Sequence, residues 1–411
     1  MVIPLVTLPI TYNYLNSEVY GLWAAVTQFF GLFAFSDLGL GNGLYTKLSQ
    51  ANGKDDLTLC KKIISNTFCI LLLIAVALSI IFVTIFPFVN WAELMNAQGD
   101  ETISLVPYLI LIIVGCKLFD IPIAIIQRTQ YALQEGYRND IWGIMGALLS
   151  LCSIIVIARY DLGKLALLIV STSIPVVVSL INMLVYFNIQ RKELKISFKM
   201  FDIVMSKDLL SLGIYFCLLS VLTSVGYSMD TFIVAKTCSL TDAASYSVIY
   251  KISIICSAIM TILGMPLWGA NGEAIARGDI DWVKKNTRKM SLILGSCSIL
   301  FTICVMLSIN FILRIWMGES FKFSYPALLW LCVMQIMFSF INPYFMVLNA
   351  YGIVKKQILL FLIYTSIVFA LKYYLSLKYS VVIIPAVGSL LYMIIVCIPT
   401  YRITCKLLRH S

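Results

Sequence analysis

Five ionisable side chains stand inside otherwise apolar runs of this chain: Asp37, Lys117, Asp120, Asp230 and Lys251. A charge in hydrocarbon costs from about 2.5 kcal/mol upward, so those that are kept are paired or functional. The residue types restrict the chemistry. Lysine is a point-charge ligand for phosphate-bearing anions. Aspartate can exchange a proton or a cation, or break and remake an ion pair. Lys117 and Asp120 are i, i+3 and share one helix face. They form either a self-neutralising pair or a cavity-facing cation whose charge the carboxylate sets. Asp230 and Lys251 lie at similar depths on the two sides of the 236–242 turn, which makes them a candidate pair on antiparallel neighbours. An anion competing for Lys251 would break it. Arg128 sits at the edge of its apolar run.

The segment FSDLGLGNGLYTK, residues 35–47, places Gly39, Gly41 and Gly43 just after Asp37. It is not a Walker loop, because no Gly-Lys-Ser/Thr follows at the needed spacing. It is not a dinucleotide fingerprint either, since no βαβ unit surrounds it. Glycine weakens a helix by about 1 kcal/mol relative to alanine and lets neighbouring helices approach. The three glycines therefore read as a bendable, close-packing hinge at the inner end of a membrane helix, with Asp37 about a turn and a half above. Asp37 is either held by a neighbouring backbone or lysine, or it changes partner when a gate opens.

Composition decides what must position these groups. Of 411 residues, 61% are hydrophobic and 12% charged, against about 25% charged in soluble domains, and the mean hydropathy is +0.94. The chain is an all-α integral membrane protein, because its long unbroken apolar runs do not alternate as barrel strands do. The net charge of +10 reflects the basic bias of cytoplasmic loops rather than nucleic-acid binding. Basic loops such as 191–207 and 277–289 also meet anionic membrane lipid. The twelve cysteines are scattered without CxxC spacing, and the one histidine is His410. No His-based metal or catalytic centre, no metal site and no cofactor is expected.

Apolar segments long enough to span lie near 1–15, 19–45, 62–89, 104–127, 141–160, 165–188, 208–235, 243–270, 290–313, 326–349, 357–376 and 380–402. That makes about twelve transmembrane helices, of which the first reads as truncated. Alternate loops carry 21 Lys and Arg against 7, the smaller set being Arg159, Lys164, Lys236, Arg314, Lys322, Lys372 and Lys378. The richer set faces the cytoplasm and both termini are cytoplasmic. ANGKDD at 51–56 matches ARGDID at 276–281 with an offset of 225, and each is followed by a Lys-Lys pair, Lys61-Lys62 and Lys284-Lys285. The expected organisation is a six-helix lobe over 1–190, a cytoplasmic linker over 191–206 and a six-helix lobe over 207–411, pseudo-repeated around a central cavity. Such a cavity opens to either side in transporters. Tyr227 shares a face with Asp230 and Tyr250 adjoins Lys251. Their rings are candidate sugar contacts, or else packing and interfacial anchors.

The chain resembles bacterial polysaccharide flippases, the Wzx-type O-antigen branch of the multidrug/oligosaccharidyl-lipid/polysaccharide exporter superfamily. The resemblance is carried by Pro4, Leu5, Pro9 and Tyr12 at the end of the first span, and by Tyr20, Gly21, Leu22 and Trp23 entering the second. FSDLGLGNGL and ANGKDD follow, and more weakly the Asp230 and Tyr246 to Lys251 region. It implies export of polyprenyl-diphosphate-linked oligosaccharide repeat units across the bacterial inner membrane, with coupling to a proton or sodium gradient. The partners it implies are an O-antigen polymerase and a chain-length regulator. On this resemblance Lys117, Lys251 and Arg128 are the candidate diphosphate ligands, and Asp37, Asp120 and Asp230 the candidates for ion coupling or gating. The sequence departs from the family in having no arginine deep in a span. A multidrug/cation antiporter of the same superfamily is the alternative, although it would want acids without matching cations. An O-antigen polymerase, an enzyme, would need a long extramembrane loop that the chain lacks.

Overall fold

The computed structural model describes residues 37–94, 99–228, 230–238, 240–317 and 323–410, with residues 7, 10, 11, 13–15, 19, 20, 22, 23, 26 and 27 before them. Pro4, Leu5, Pro9, Tyr12 and Gly21, and most of the two spans expected near 1–15 and 19–45, lie outside the described residues. Every regular element among those described is helical. Nine of these helices are long and apolar enough to cross a membrane, and the protein is a multi-pass membrane protein. Chain contacts divide it into two units, Met1–Leu48 with Asp55–Gly213, and Ser49–Lys54 with Ile214–Ser411.

The first unit holds most of α1 (Leu40–Gly53), then α2 (Leu57–Ile85), α3 (Asp100–Ile123), α4 (Ile125–Ala132), α5 (Gly136–Tyr160), α6 (Lys164–Val185) and the start of α7 (Ile203–Ser228). Local chemistry sets the ends of these helices. Asp56 caps α2 by accepting from the Leu59 amide at 2.9 Å, which satisfies one of the orphan donors of a first helical turn. Asp161 takes a left-handed conformation that stops α5. Its carboxylate accepts from the Tyr14 hydroxyl at 2.8 Å, and that hydroxyl accepts from the Gly163 amide at 2.9 Å, closing the turn into α6.

The 191–206 segment, expected as a linker, is strapped along α2. Buried Asn66 donates to the Met200 carbonyl at 2.9 Å and accepts from the Asp202 amide at 2.7 Å, while the Ser197 amide donates to Ser65 at 3.0 Å. Lys62 closes the strap on Asp202 at 2.6 Å. Glu135 is buried at the foot of α5, where it pairs with Arg138 at 3.1 Å and accepts from the Arg191 Nε at 2.9 Å.

The second unit contains the rest of α7, then α8 (Asp230–Thr237), α9 (Leu240–Ser253), α10 (Ile255–Ala276), α11 (Ile280–Met317), α12 (Tyr325–Ala350), α13 (Val354–Ser376), α14 (Ile383–Leu391) and α15 (Ile398–His410). Ile233, Tyr246, Ile309, Leu328 and Ile384 centre its core. On α11, Leu307 is 83% and Phe311 69% exposed, an apolar outer face that suits lipid. Residues 49–54 belong to this unit, with Gln50 donating to the Ala350 carbonyl at 2.6 Å and Arg277 to the Gly53 carbonyl at 3.2 Å.

The repeat is visible in the backbone, but its register is 223 and not the 225 that matching letters suggested. α1 ends at 53 and α10 at 276, and α2 starts at 57 and α11 at 280. Asp279 accepts from the Trp282 amide at 3.1 Å as Asp56 does from Leu59. Asp55 and Gly278 just before them both have positive φ. Asp is one of the few residues that tolerates this conformation as glycine does, so a letter comparison misses the equivalence. The Lys-Lys pairs at 61–62 and 284–285 fall on the same 223 shift.

The ammonium of Lys62, then the amides of Met205 and Val204, hold the Asp202 carboxyl below the ordinary carboxylate range. A depressed folded-state pKa gives stability that is present above the unfolded value, about 3.9, and lost as pH falls below it. Acidification below about pH 4, or Asp202→Asn at neutral pH, is expected to release the strap. Faster amide hydrogen exchange at Ser197 and Asp202 is the measurement.

Candidate functional site

The first unit encloses a cavity of about 570 Å³ with Lys117 and Asp120 in its lining, inside the usual range of about 300–1,000 Å³ for small-molecule sites. Both groups stand on the last turns of α3. Pro122, which lacks an amide to continue the ladder, precedes the break at Ala124 where α4 begins. Gln127 of α4 joins the same lining, with Asn139 and Trp142 of α5 and with Trp23. The Gln127 side chain makes no hydrogen bond with any described residue. Buried Asn182, in the same lining, and buried Gln130 bond reciprocally through their amides at 2.9 and 3.2 Å.

Asp37 is not within a continuous helix as expected. Residues 37–39 form a turn, with Leu38 and Gly39 at positive φ, and α1 starts at Leu40. The Asp37 carboxylate accepts from the Gly39 amide at 2.9 Å and the Gly41 amide at 3.3 Å, which caps the helix start where a negative charge is favoured. Arg128 borders the same turn. A Cβ on Gly41 would stand 3.1 Å from Asp37 Oδ2 and 3.2 Å from Arg128 Nε. Gly43 faces α7, where its Cβ would lie 3.5 Å from the Gly213 amide nitrogen. Thus Gly39 supplies the turn, Gly41 the approach of a guanidinium, and Gly43 a helix contact. Asp37→Ala is expected to cost about 1 kcal/mol of stability and Asp37→Asn much less, because asparagine also caps. Thermal unfolding of the detergent-purified variants measures the difference.

In the second unit the expected partner of Asp230 is wrong. Asp230 pairs with Lys372 at 2.5 Å and accepts from the Tyr246 hydroxyl at 2.8 Å. Lys251 is exposed, with no carboxylate within ion-pair distance among the described residues. Helix geometry gives the reason: at about 100° per residue, a helix that turns Tyr246 toward Asp230 carries Lys251 about 140° away. Tyr250, about 40° from Tyr246 by the same geometry, borders Asp230 instead. Lys372 was counted with the extracytoplasmic loops, but it lies inside α13 and is 3% exposed. Gly388 makes room for it, since a Cβ there would stand 2.8 Å from the Lys372 Nζ.

Beside the pair is a cavity of only about 30 Å³ that includes Tyr250 and Gln335, enough for one or two waters. It is too small for a sugar ring. The Tyr227 side chain lies outside the described residues. No group of three or more His, Cys, Asp or Glu able to hold a metal occurs among the described residues. Of the three expected phosphate ligands, Lys117 and Arg128 belong to the first unit and Lys251 to the second.

Lys372, Gln127, Asn139 and Trp142 were not foreseen as site residues. Lys372 sits in LKYYLSLK, where falling hydropathy imitates a loop, and the three cavity residues belong to no motif. Breaking a buried pair by removing one partner costs about 3–5 kcal/mol, whereas an apolar replacement of both costs far less. Lys372→Ala is therefore expected to lower the melting temperature more than the double variant Asp230→Asn, Lys372→Met.

Comparison with known proteins follows from this geometry. Residues 1–268 match the model of a family described as polysaccharide biosynthesis protein. No curated protein matches the sequence. Among solved structures, MATE in complex with MaD3S superposes with a TM-score of 0.84 at 15% identity, covering 100% of this chain and 94% of the other. A point mutant of the Vibrio cholerae MATE transporter VcmN gives 0.82 at 14% identity over 100% and 93%. A MOP superfamily transporter from Pyrococcus furiosus Vc1 gives 0.79 at 14% identity over 100% and 93%. At these identities the likeness is one of fold.

Proposed function

The chain belongs to the polysaccharide biosynthesis protein family, and from that premise we propose that it is a flippase for lipid-linked oligosaccharides. It moves polyprenyl-diphosphate-linked O-antigen repeat units from the cytoplasmic to the periplasmic leaflet of the bacterial inner membrane, for lipopolysaccharide assembly. It works by alternating access and catalyses no bond change. The observation that carries the reading is the large cavity that holds Lys117, in a chain otherwise built to face lipid. An intramembrane cation open to a cavity is where an anionic headgroup recovers the interactions it loses on leaving water.

Lys117 is the first ligand of the diphosphate. Lys251, exposed and without a carboxylate partner among the described residues, and Arg128 are further anion contacts along the path. Asp120 shares the helix face of Lys117 and offers a carboxylate beside it. Asp37, beside Arg128, and Asp230, bonded to Lys372, are pairs that exchange partners as the path opens, with a proton or sodium ion as the coupling species. The fold is equally that of multidrug exporters. A cation antiporter, however, needs carboxylates free to meet its cargo. Each of these three acids has a basic residue beside it or close along its helix: Arg128, Lys117 and Lys372.

Complementation of a flippase-null strain tests the reading, scored by the lipopolysaccharide ladder. The wild-type chain is expected to restore the ladder over empty vector. Lys117→Ala is expected to lose it at unchanged membrane abundance, and a full ladder in that variant would remove Lys117 from the path.

A further inference from the structure

We propose that the cavity of the first unit is a carbohydrate site, which takes a sugar ring of the transported lipid against the indoles of Trp23 and Trp142. This rests on the function proposed above and adds where the oligosaccharide is read. A pyranose ring has two apolar C–H faces and a rim of hydroxyl groups. A site for it needs flat apolar walls and, around them, groups that both donate and accept. The cavity supplies both, with two indoles for the faces and the amides of Gln127 and Asn139 for the rim. An amide side chain offers two donors and an acceptor oxygen, and Gln127 has this capacity free among the described residues. Lys117 and Asp120 add one charge of each sign at the same wall.

Other cargoes suit this lining less well. A hydrocarbon tail would leave the amides and both charges unpaired, at a cost for each. A diphosphate alone would have no use for two indoles. Asn182 in the lining is already bonded reciprocally to Gln130, which leaves recognition to Gln127 and Asn139.

Space for the ring is held open by Gly143, which stands in the lining one residue from Trp142. A Cβ at Gly143 would meet nothing within 4 Å. Glycine there weakens the helix relative to alanine, and no close neighbour requires it. A larger side chain would enter the cavity without a backbone clash, which makes Gly143→Leu a way to fill the site while leaving every polar group in place.

The test measures equilibrium binding of two radiolabelled lipids to the detergent-purified full chain. One is the lipid-linked repeat unit extracted from cells that produce this protein, and the other is bare polyprenyl diphosphate. Wild type is expected to bind the repeat-unit lipid at least ten-fold more tightly than the bare lipid. Gly143→Leu and Trp142→Ala are expected to erase that preference. Trp142→Phe, which keeps a ring face, is expected to retain most of it, and melting temperatures at or above wild type for Gly143→Leu show that it folds. A ten-fold preference surviving in both Gly143→Leu and Trp142→Ala overturns the sugar site. Equal wild-type binding of the two lipids overturns the sugar site alone, and binding of neither lipid overturns the proposed function with it.

Discussion

Hydrocarbon solvates neither a bare charge nor a bare backbone polar group, and the arrangement of this protein follows from how each such group is answered. Asp230 is answered by an ammonium and a phenol in a nearly dry core. Asp37 is answered by the first amides of a helix, with a guanidinium alongside. Lys117 and Asp120 are answered by a cavity large enough to hold a ligand. These are three physical solutions to one problem. Only the third leaves capacity for a partner from outside the chain, which is why the functional reading centres there.

The same constraint explains the glycines. Close approach of a charged side chain to a helix requires that something be missing from the helix. Gly388 makes the gap for the Lys372 ammonium and Gly41 for Arg128. Gly143 differs, because the gap it leaves is empty. The two units share a repeated backbone plan of matching caps and left-handed turns, yet they use it unequally. The first keeps an open cavity of about 570 Å³ around Lys117 and Asp120, while the space beside the ion pair of the second is about 30 Å³.

Much of the fold was legible in the chain because hydropathy and length are properties of a segment and need no partner. The all-helical membrane class and most of the spans after residue 57 came from that signal, and the existence of a repeat from matching letters. The register of the repeat did not, because Asp55 and Gly278 do the same backbone work with different letters. Of the site, the i, i+3 spacing of Lys117 and Asp120 was readable as one helix face. The indoles and amides that complete the cavity come from other helices and have no motif in common.

What the sequence by itself determined is which groups are charged, how deep along a helix each one lies, and that each must find an answer in a medium that offers none. What only the tertiary structure decided is which group answers which. Asp230 and Lys251 have matching depths, but depth is one coordinate and rotation about the helix axis is another. Each residue turns the helix by about 100°, so a choice among Tyr246, Tyr250 and Lys251 rests on how α9 packs. That packing depends on α8, α12 and the rest of the core together, and it gave Asp230 to a lysine 142 residues away on α13.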